Sequence, residues 1–189
     1  MDKKITLTIV SVIIILGTVC FLASRNLLDG FIYGETRNTE CISKTEDKVI
    51  QGDYLQGLIE DGEKVRVFFG YYDCNPVERE DIVLYNYSGE EPLIKIVKAV
   101  PGDAFSLESG IDGGWNIIIN GQILNNSQGE AYSLDRRAYN MLYAYEDNYG
   151  GVVPDKVYMI MGNQASGSFD FSKFGLVHES NLLAKAEIK

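Results

Sequence analysis

A single histidine, His178, stands in 189 residues. A multi-histidine metal centre is thereby excluded, and a Ser-His-Asp relay would have to rest on that one ring. No motif sets a cysteine or serine beside His178, so a catalytic role is not expected of it. Three cysteines are present, Cys20, Cys41 and Cys74. They are too few for a disulfide framework, and Cys41 and Cys74 can either pair in an oxidising compartment or remain two thiols. There is no GxxxxGKS/T loop and no GxGxxG after a strand, so no phosphate cradle is read. Seventeen Lys+Arg against 27 Asp+Glu give a net charge of -10 and a pI near 4.6. Such a chain offers no basic surface to neutralise nucleic-acid phosphates. Its 46% hydrophobic and 11% aromatic content is too high for a disordered chain.

The elements that must position any chemistry begin with Ile5 to Ser24, ITLTIVSVIIILGTVCFLAS, which carries no charge. As a helix it would span about 30 Å, the hydrocarbon thickness of a bilayer. Lys3 and Lys4 precede it, which by the positive-inside bias puts residues 1–4 in the cytoplasm and the rest outside. A cleaved signal peptide is the alternative, but no A-x-A site follows and the apolar run is long. The expectation is a single-pass anchor in the cell membrane with an extracellular main domain. Residues 25–46 read as a linker. From 47 to 189 the chain is a series of β-type runs: KVRVFFGY from Lys64, DIVLYNY from Asp81, LIKIVKAV from Leu93, KVYMIM from Lys156, and Leu182 to Ile188. WNIIINGQIL from Trp115 holds Asn120-Gly121 between apolar runs, a strong hairpin signal. Ser133 to Asn148 has helical spacing at Leu134, Ala138, Met141, Leu142 and Tyr145, with Ser133 able to cap it and Gly150-Gly151 able to end it.

Four segments in order then carry a resemblance. VIQGDYLQGLIEDGEKV (49–65), REDIVLY (79–85), LIKIVKAVPGD (93–103) and MGNQASGSFDFSKFG (161–175) resemble the boxes of type I signal peptidase, the membrane-anchored Ser/Lys protease that removes signal peptides. The corresponding family patterns are V-x-G-x-S-M-x-P-T-L-x-x-G-D-x-V, R-G-D-I-V, I-K-R-V-x-G-x-P-G-D and M-G-D-N followed by S-x-D-S-R. The resemblance runs from about residue 47 to the end. It implies a mainly β fold of coiled antiparallel sheets with a short helical insertion, behind one N-terminal transmembrane helix. It implies no cofactor and no metal.

In that family a serine attacks the peptide carbonyl and a lysine of lowered pKa takes its proton. The resemblance places the lysine at Lys95 and the nucleophile at Tyr54. A phenol oxygen lies several ångströms further from the backbone than a serine oxygen, and acyl transfer from an amide to a phenol is unfavourable. Misplacing a catalytic atom by an ångström can already cost ~100-fold. The motif has drifted elsewhere too: Leu55, Gly57, Leu58, Ile96, Asn163, Gln164 and Ser172 replace its Met, Pro, Thr, Arg, Asp, Asn and Arg. Lys173 is a possible substitute for the last. Tyr54 can bond Lys95 or plug the cleft, and a plug is expected. Asp53 should face solvent. Ile50, Leu55, Ile59 and Ile94 take positions that line the family's peptide pockets, or form ordinary core; Ser168 and Asp170 remain from the last box.

The resemblance is to degenerate members associated with pilus assembly in Gram-positive bacteria. It implies a non-catalytic assembly factor or chaperone for pilin polymerisation that binds a pilin segment or a sortase. The old cleft, which holds peptide as an added strand, or the helical insertion would provide the surface. The enzyme alternative is an active peptidase with Lys95 as general base and a relocated nucleophile, Ser168 or Ser88.

Overall fold

The computed structural model describes residues 38–87, 91–110, 113–166 and 171–189. The segment read as a membrane anchor, residues 5–24, lies outside them, as does most of the segment read as linker. Among the described residues no helix is long and apolar enough to cross a membrane.

Among the described residues, eleven strands form two antiparallel sheets. The larger contains β1 (Lys44–Val49), β2 (Lys64–Phe69), β3 (Ile82–Tyr85), β4 (Leu93–Ala99), β9 (Val157–Met161), β10 (Val177–His178) and β11 (Leu182–Ile188), in the order β1-β2-β11-β3-β4-β9-β10. The smaller contains β5 (Phe105–Ser109), β6 (Trp115–Ile119), β7 (Gln122–Ile123) and β8 (Ser133–Leu134), with β8 beside β6. β4 is central and covered, which is why LIKIVKA is nearly continuous in apolar residues rather than alternating. β1 takes up Lys44 to Glu46, residues within the segment read as linker, and pairs with β2 along its full length.

The Asn120-Gly121 turn has φ of 50° and 77°, left-handed at both positions as a two-residue type I′ hairpin requires. The side chain of Asn120 accepts from Ala104 N at 2.9 Å and donates to Asp103 at 2.9 Å, so the turn is also pinned from outside. Helix α1 (Arg136–Asn148) buries Ala138 and Leu142 against the smaller sheet. Its cap is Asp135, whose carboxylate accepts from Ala138 N at 2.7 Å. Ser133, read as the cap, is instead in β8 opposite Asn116, so the chain is committed to an extended path until residue 135. Gly150 and Gly151 close the helix at φ 63° and 69°, Gly151 N donating to Glu146 O at 2.8 Å.

Cys41 and Cys74 form a disulfide with Cα atoms 6.0 Å apart. It ties the start of the folded unit to the turn after β2. Asn38 and Asn75 exchange bonds across the same junction, at 3.0 and 2.8 Å.

Candidate functional site

Lys95 stands in β4, which is buried from Ile94 to Ala99, and is itself 2% exposed. The side chain of Tyr54 comes from the irregular segment 51–60, which connects β1 to β2. That segment is not a strand. It is closed at its base by Ile50 N to Glu63 O (2.8 Å) and Gly62 N to Ile50 O (2.9 Å), and it folds as successive turns, with Ile59 N donating to Leu55 O at 2.9 Å. Leu55 and Ile59 are the apolar anchors of the turns and sit in a core cluster with Ile50, Val65, Ile94 and Ile96. Tyr54 packs against the rim of that cluster.

The geometry at the old catalytic position follows from this. Lys95 Nζ lies over the face of the Tyr54 ring, 4.5 Å from its centroid. The contact is between a side-chain nitrogen and the π-face, an attraction by the ring quadrupole when the amine is protonated. Burial, and secondarily the carboxylate of Glu91, push the Tyr54 phenol above its ordinary pKa. It is therefore a neutral phenol near pH 7, the wrong state for nucleophilic attack. The ring lies across the Lys95 side-chain nitrogen.

A groove of roughly 360 Å³ lies beside this ring, between Lys48–Gln51 and Glu91–Ile94. β9 pairs with β4 only from Ile96 onward, while β3 covers Leu93 to Ile96. The Leu93–Ile94 end of β4 thus has a strand on one side and the groove on the other. Of the residues read as pocket lining, Ile94 reaches this groove, as does Tyr54 at the position read as the nucleophile's. Ile50, Leu55 and Ile59 are at most 1% exposed and are core, the second of the two roles open to them. Asp53 is exposed, on a turn rather than on a strand face. Ser168, Asp170 and Ser88 lie outside the described residues. Lys173 stands in a helical turn, Phe171–Phe174, not in an extended segment, and its Nζ is 3.9 Å from Asp135. His178 accepts from Ser180 N at 3.2 Å and caps the 3-10 turn Glu179–Asn181, a structural task.

The residue that holds Tyr54 in place was visible in the sequence only as a departure from the fourth box. Asn163, 1% exposed, donates its backbone N–H to Tyr54 O at 2.7 Å. Its amide Nδ2 donates to Gln56 O (2.8 Å) and Ser127 Oγ (2.7 Å), and its Oδ1 accepts from Ser127 N (3.0 Å). Gln164 adds a bond from Nε2 to Asp53 O at 3.0 Å. The two residues in the Asp-Asn position are thus a clamp on the 51–60 turns.

The surviving carboxylates of the second and third boxes are also structural. Asp81 receives Lys185 Nζ at 2.7 Å, Tyr72 OH at 3.0 Å and Glu78 N at 3.0 Å. Asp103 accepts from Arg79 Nε and Nη2, from Val100 N at 2.9 Å and from the Asn120 amide. Glu80, where the motif has Gly, keeps the left-handed φ of 67° and bonds the buried Lys98 ammonium at 2.9 and 3.0 Å. Burial opposes the Asp103 charge, but the Arg79, Val100 and Asn120 bonds outweigh it and hold the carboxyl below its usual pKa. The stability it supplies is present above the unfolded value of about 3.9 and is lost as pH falls through the lower folded value. Acid unfolding followed by circular dichroism should show this, and Asp103→Asn should remove that part of the pH dependence.

The fold and site define a signal peptidase-type β domain in which the Tyr54 ring lies across the buried Lys95. The family model described as signal peptidase, peptidase S26, matches residues 5–189, and the chain belongs to that family. Signal peptidase I of Bacillus caldolyticus is 24% identical over 144 residues, covering 75% of this chain and 76% of its own. Signal peptidase IB of Staphylococcus aureus strain COL is 23% identical over 155 residues, covering 74% of each. A crystal structure of a signal peptidase I from Enterococcus faecalis V583 aligns with TM-score 0.41 and 20% identity over 59% of this chain and 97% of that one.

Proposed function

We propose that this chain is a non-catalytic signal peptidase-like protein that binds an extended peptide segment in the groove beside Tyr54, acting on the outer face of a Gram-positive membrane as an assembly factor for pilin polymerisation. The single observation that carries the loss of catalysis is the Tyr54 ring over Lys95. A phenol held neutral, with its ring across the base, neither supplies an alkoxide nor leaves room for a small side chain at the scissile position. The groove supports the binding half of the proposal, because β-augmentation draws on backbone groups and shaped pockets rather than on a nucleophile. Pilin or sortase as partner, and residues 5–24 as the anchor, come from the sequence reading and are proposed with it.

The test uses the full-length chain in detergent with a signal-peptide-bearing pilin precursor and the cognate sortase. The expected result is no cleavage, and crosslinking of a photoreactive residue at the exposed Val49 to one of the two proteins. Cleavage that Lys95→Ala abolishes would overturn the non-catalytic reading. Absence of any crosslink would overturn the binding reading. Tyr54→Ser is expected to leave cleavage at background, since Ile96 is fixed in the core where the motif has Arg.

A further inference from the structure

A second and larger cleft, roughly 640 Å³, opens from the other part of the 51–60 turns and does not include Tyr54 or Lys95. That volume is within the range of about 300–1,000 Å³ typical of small-ligand sites. Its walls are contributed by residues of three segments, 56–60, 126–133 and 163–166, with Ile59 and Tyr132 turned into the core. They are locked to one another. Ser127 Oγ donates to Gly57 O at 3.2 Å, and Asn126 Nδ2 donates to Asn163 O at 3.0 Å and to Glu130 at 2.9 Å. Gly57, at a left-handed φ of 85°, lies against the end of the Gln128 side chain.

The lining chemistry is uniform. Among the described residues it is lined by five carboxamides (Gln56, Asn126, Gln128, Asn163 and Gln164), of which Asn126 and Asn163 are spent on bonds within the walls, and by two carboxylates (Glu60 and Glu130), with no Lys, Arg or His and no aromatic ring. Each carboxylate has one oxygen held, Glu60 by Gly57 N at 3.1 Å and Glu130 by Asn126, so both are oriented before any ligand arrives. Carboxamides pair with peptide groups, donor to carbonyl and carbonyl to N–H. Two oriented carboxylates in a cation-free cleft of a chain of charge -10 select a positive side chain and repel anions. The missing aromatic face disfavours a sugar, whose recognition draws on stacking.

We infer that this cleft is a second binding site, for a short polypeptide segment carrying a lysine or arginine side chain between Glu60 and Glu130. It stands independently of the groove beside Tyr54.

The experiment titrates the full-length chain in detergent micelles with acetyl-Ala-Ala-Lys-Ala-Ala-amide and with the same peptide carrying norleucine or glutamate in place of lysine, followed by amide chemical shifts. The lysine peptide is expected to bind about tenfold tighter than the norleucine peptide, the scale of a charge-assisted hydrogen bond. Shifts should centre on Gly57, Glu60, Glu130 and Ala165. The E60Q/E130Q variant keeps an acceptor oxygen at each position and should lose the preference, with E60Q and E130Q singly each losing part of it should the double variant not fold. No saturable shift at millimolar peptide, equal binding of the three peptides, or discrimination surviving both single variants would overturn the inference. So would shifts confined to 48–54 and 91–94, or saturable binding of a chito-oligosaccharide in place of the peptide. The Val49 crosslink reports separately on the groove, so failure of one site is distinguishable from failure of the other.

Discussion

Asn163→Asp is expected to destabilise the folded unit by about 3 kcal/mol, a fall of about 6–12 °C in Tm. The change is nearly isosteric, so volume does not enter. What changes is the donor. Gln56 O faces Nδ2 at 2.8 Å in a site that is 1% exposed, and a carbonyl can only accept. An aspartate carboxylate would set a negative oxygen against that carbonyl with no water to relieve it, while Ser127 N would keep its acceptor. Burying an acceptor against an acceptor costs the desolvation of both. The sign of the pH dependence follows: a protonated carboxyl regains an O–H donor, so the folded-state pKa of the new group is raised. The deficit is then smallest at acid pH and grows as pH rises through that pKa. Urea unfolding at two pH values measures it, and a deficit that is absent, or larger in acid, would refute the account. The motif has aspartate here, so in this chain asparagine is adapted to its own turn.

The second large effect concerns Asp81. Asp81→Ala leaves the Lys185 ammonium, whose side chain is 11% exposed, without its carboxylate, and leaves Tyr72 OH and Glu78 N without their acceptor. Breaking a buried pair from one side costs about 3–5 kcal/mol, because the remaining charge keeps its desolvation penalty. The double variant Asp81→Ala with Lys185→Met removes that charge and should recover part of the loss. Thermal unfolding of the three proteins gives the order wild type, double variant, single variant. If the double variant is the least stable, the cost lies in the hydroxyl and amide rather than in the ammonium.

Both predictions concern residues inside matched boxes, and neither concerns catalysis. The boxes persist here because their polar groups close the fold: Asp81 fixes the entry to β3, Asp103 the corner after β4, and Asn163 the 51–60 turns. Those demands do not depend on which side chain stands at position 54. Glu80 shows the same logic under substitution, since a non-glycine residue at φ 67° is strained, and the bond to Lys98 offsets that strain.

The sequence by itself determined the β class, the six runs that became strands, the Asn120-Gly121 hairpin and the pairing of Tyr54 with Lys95 as one site. These rest on local periodicity, turn chemistry and motif order, which a linear chain carries. It also marked a helix over 133–148, which the structure forms only from Arg136, with its cap at Asp135, because a long-range pairing with β6 held Ser133 extended. Tertiary structure alone decided that Ile50, Leu55 and Ile59 are core while Ile94 reaches the groove, that His178 is a turn cap, and that Cys41 and Cys74 are bonded. It alone brought Gln56, Ser127 and Asn163 together from three distant segments and set two clefts around the same turns. Such contacts depend on the packing of segments far apart in the chain, for which neighbouring residues carry no signal.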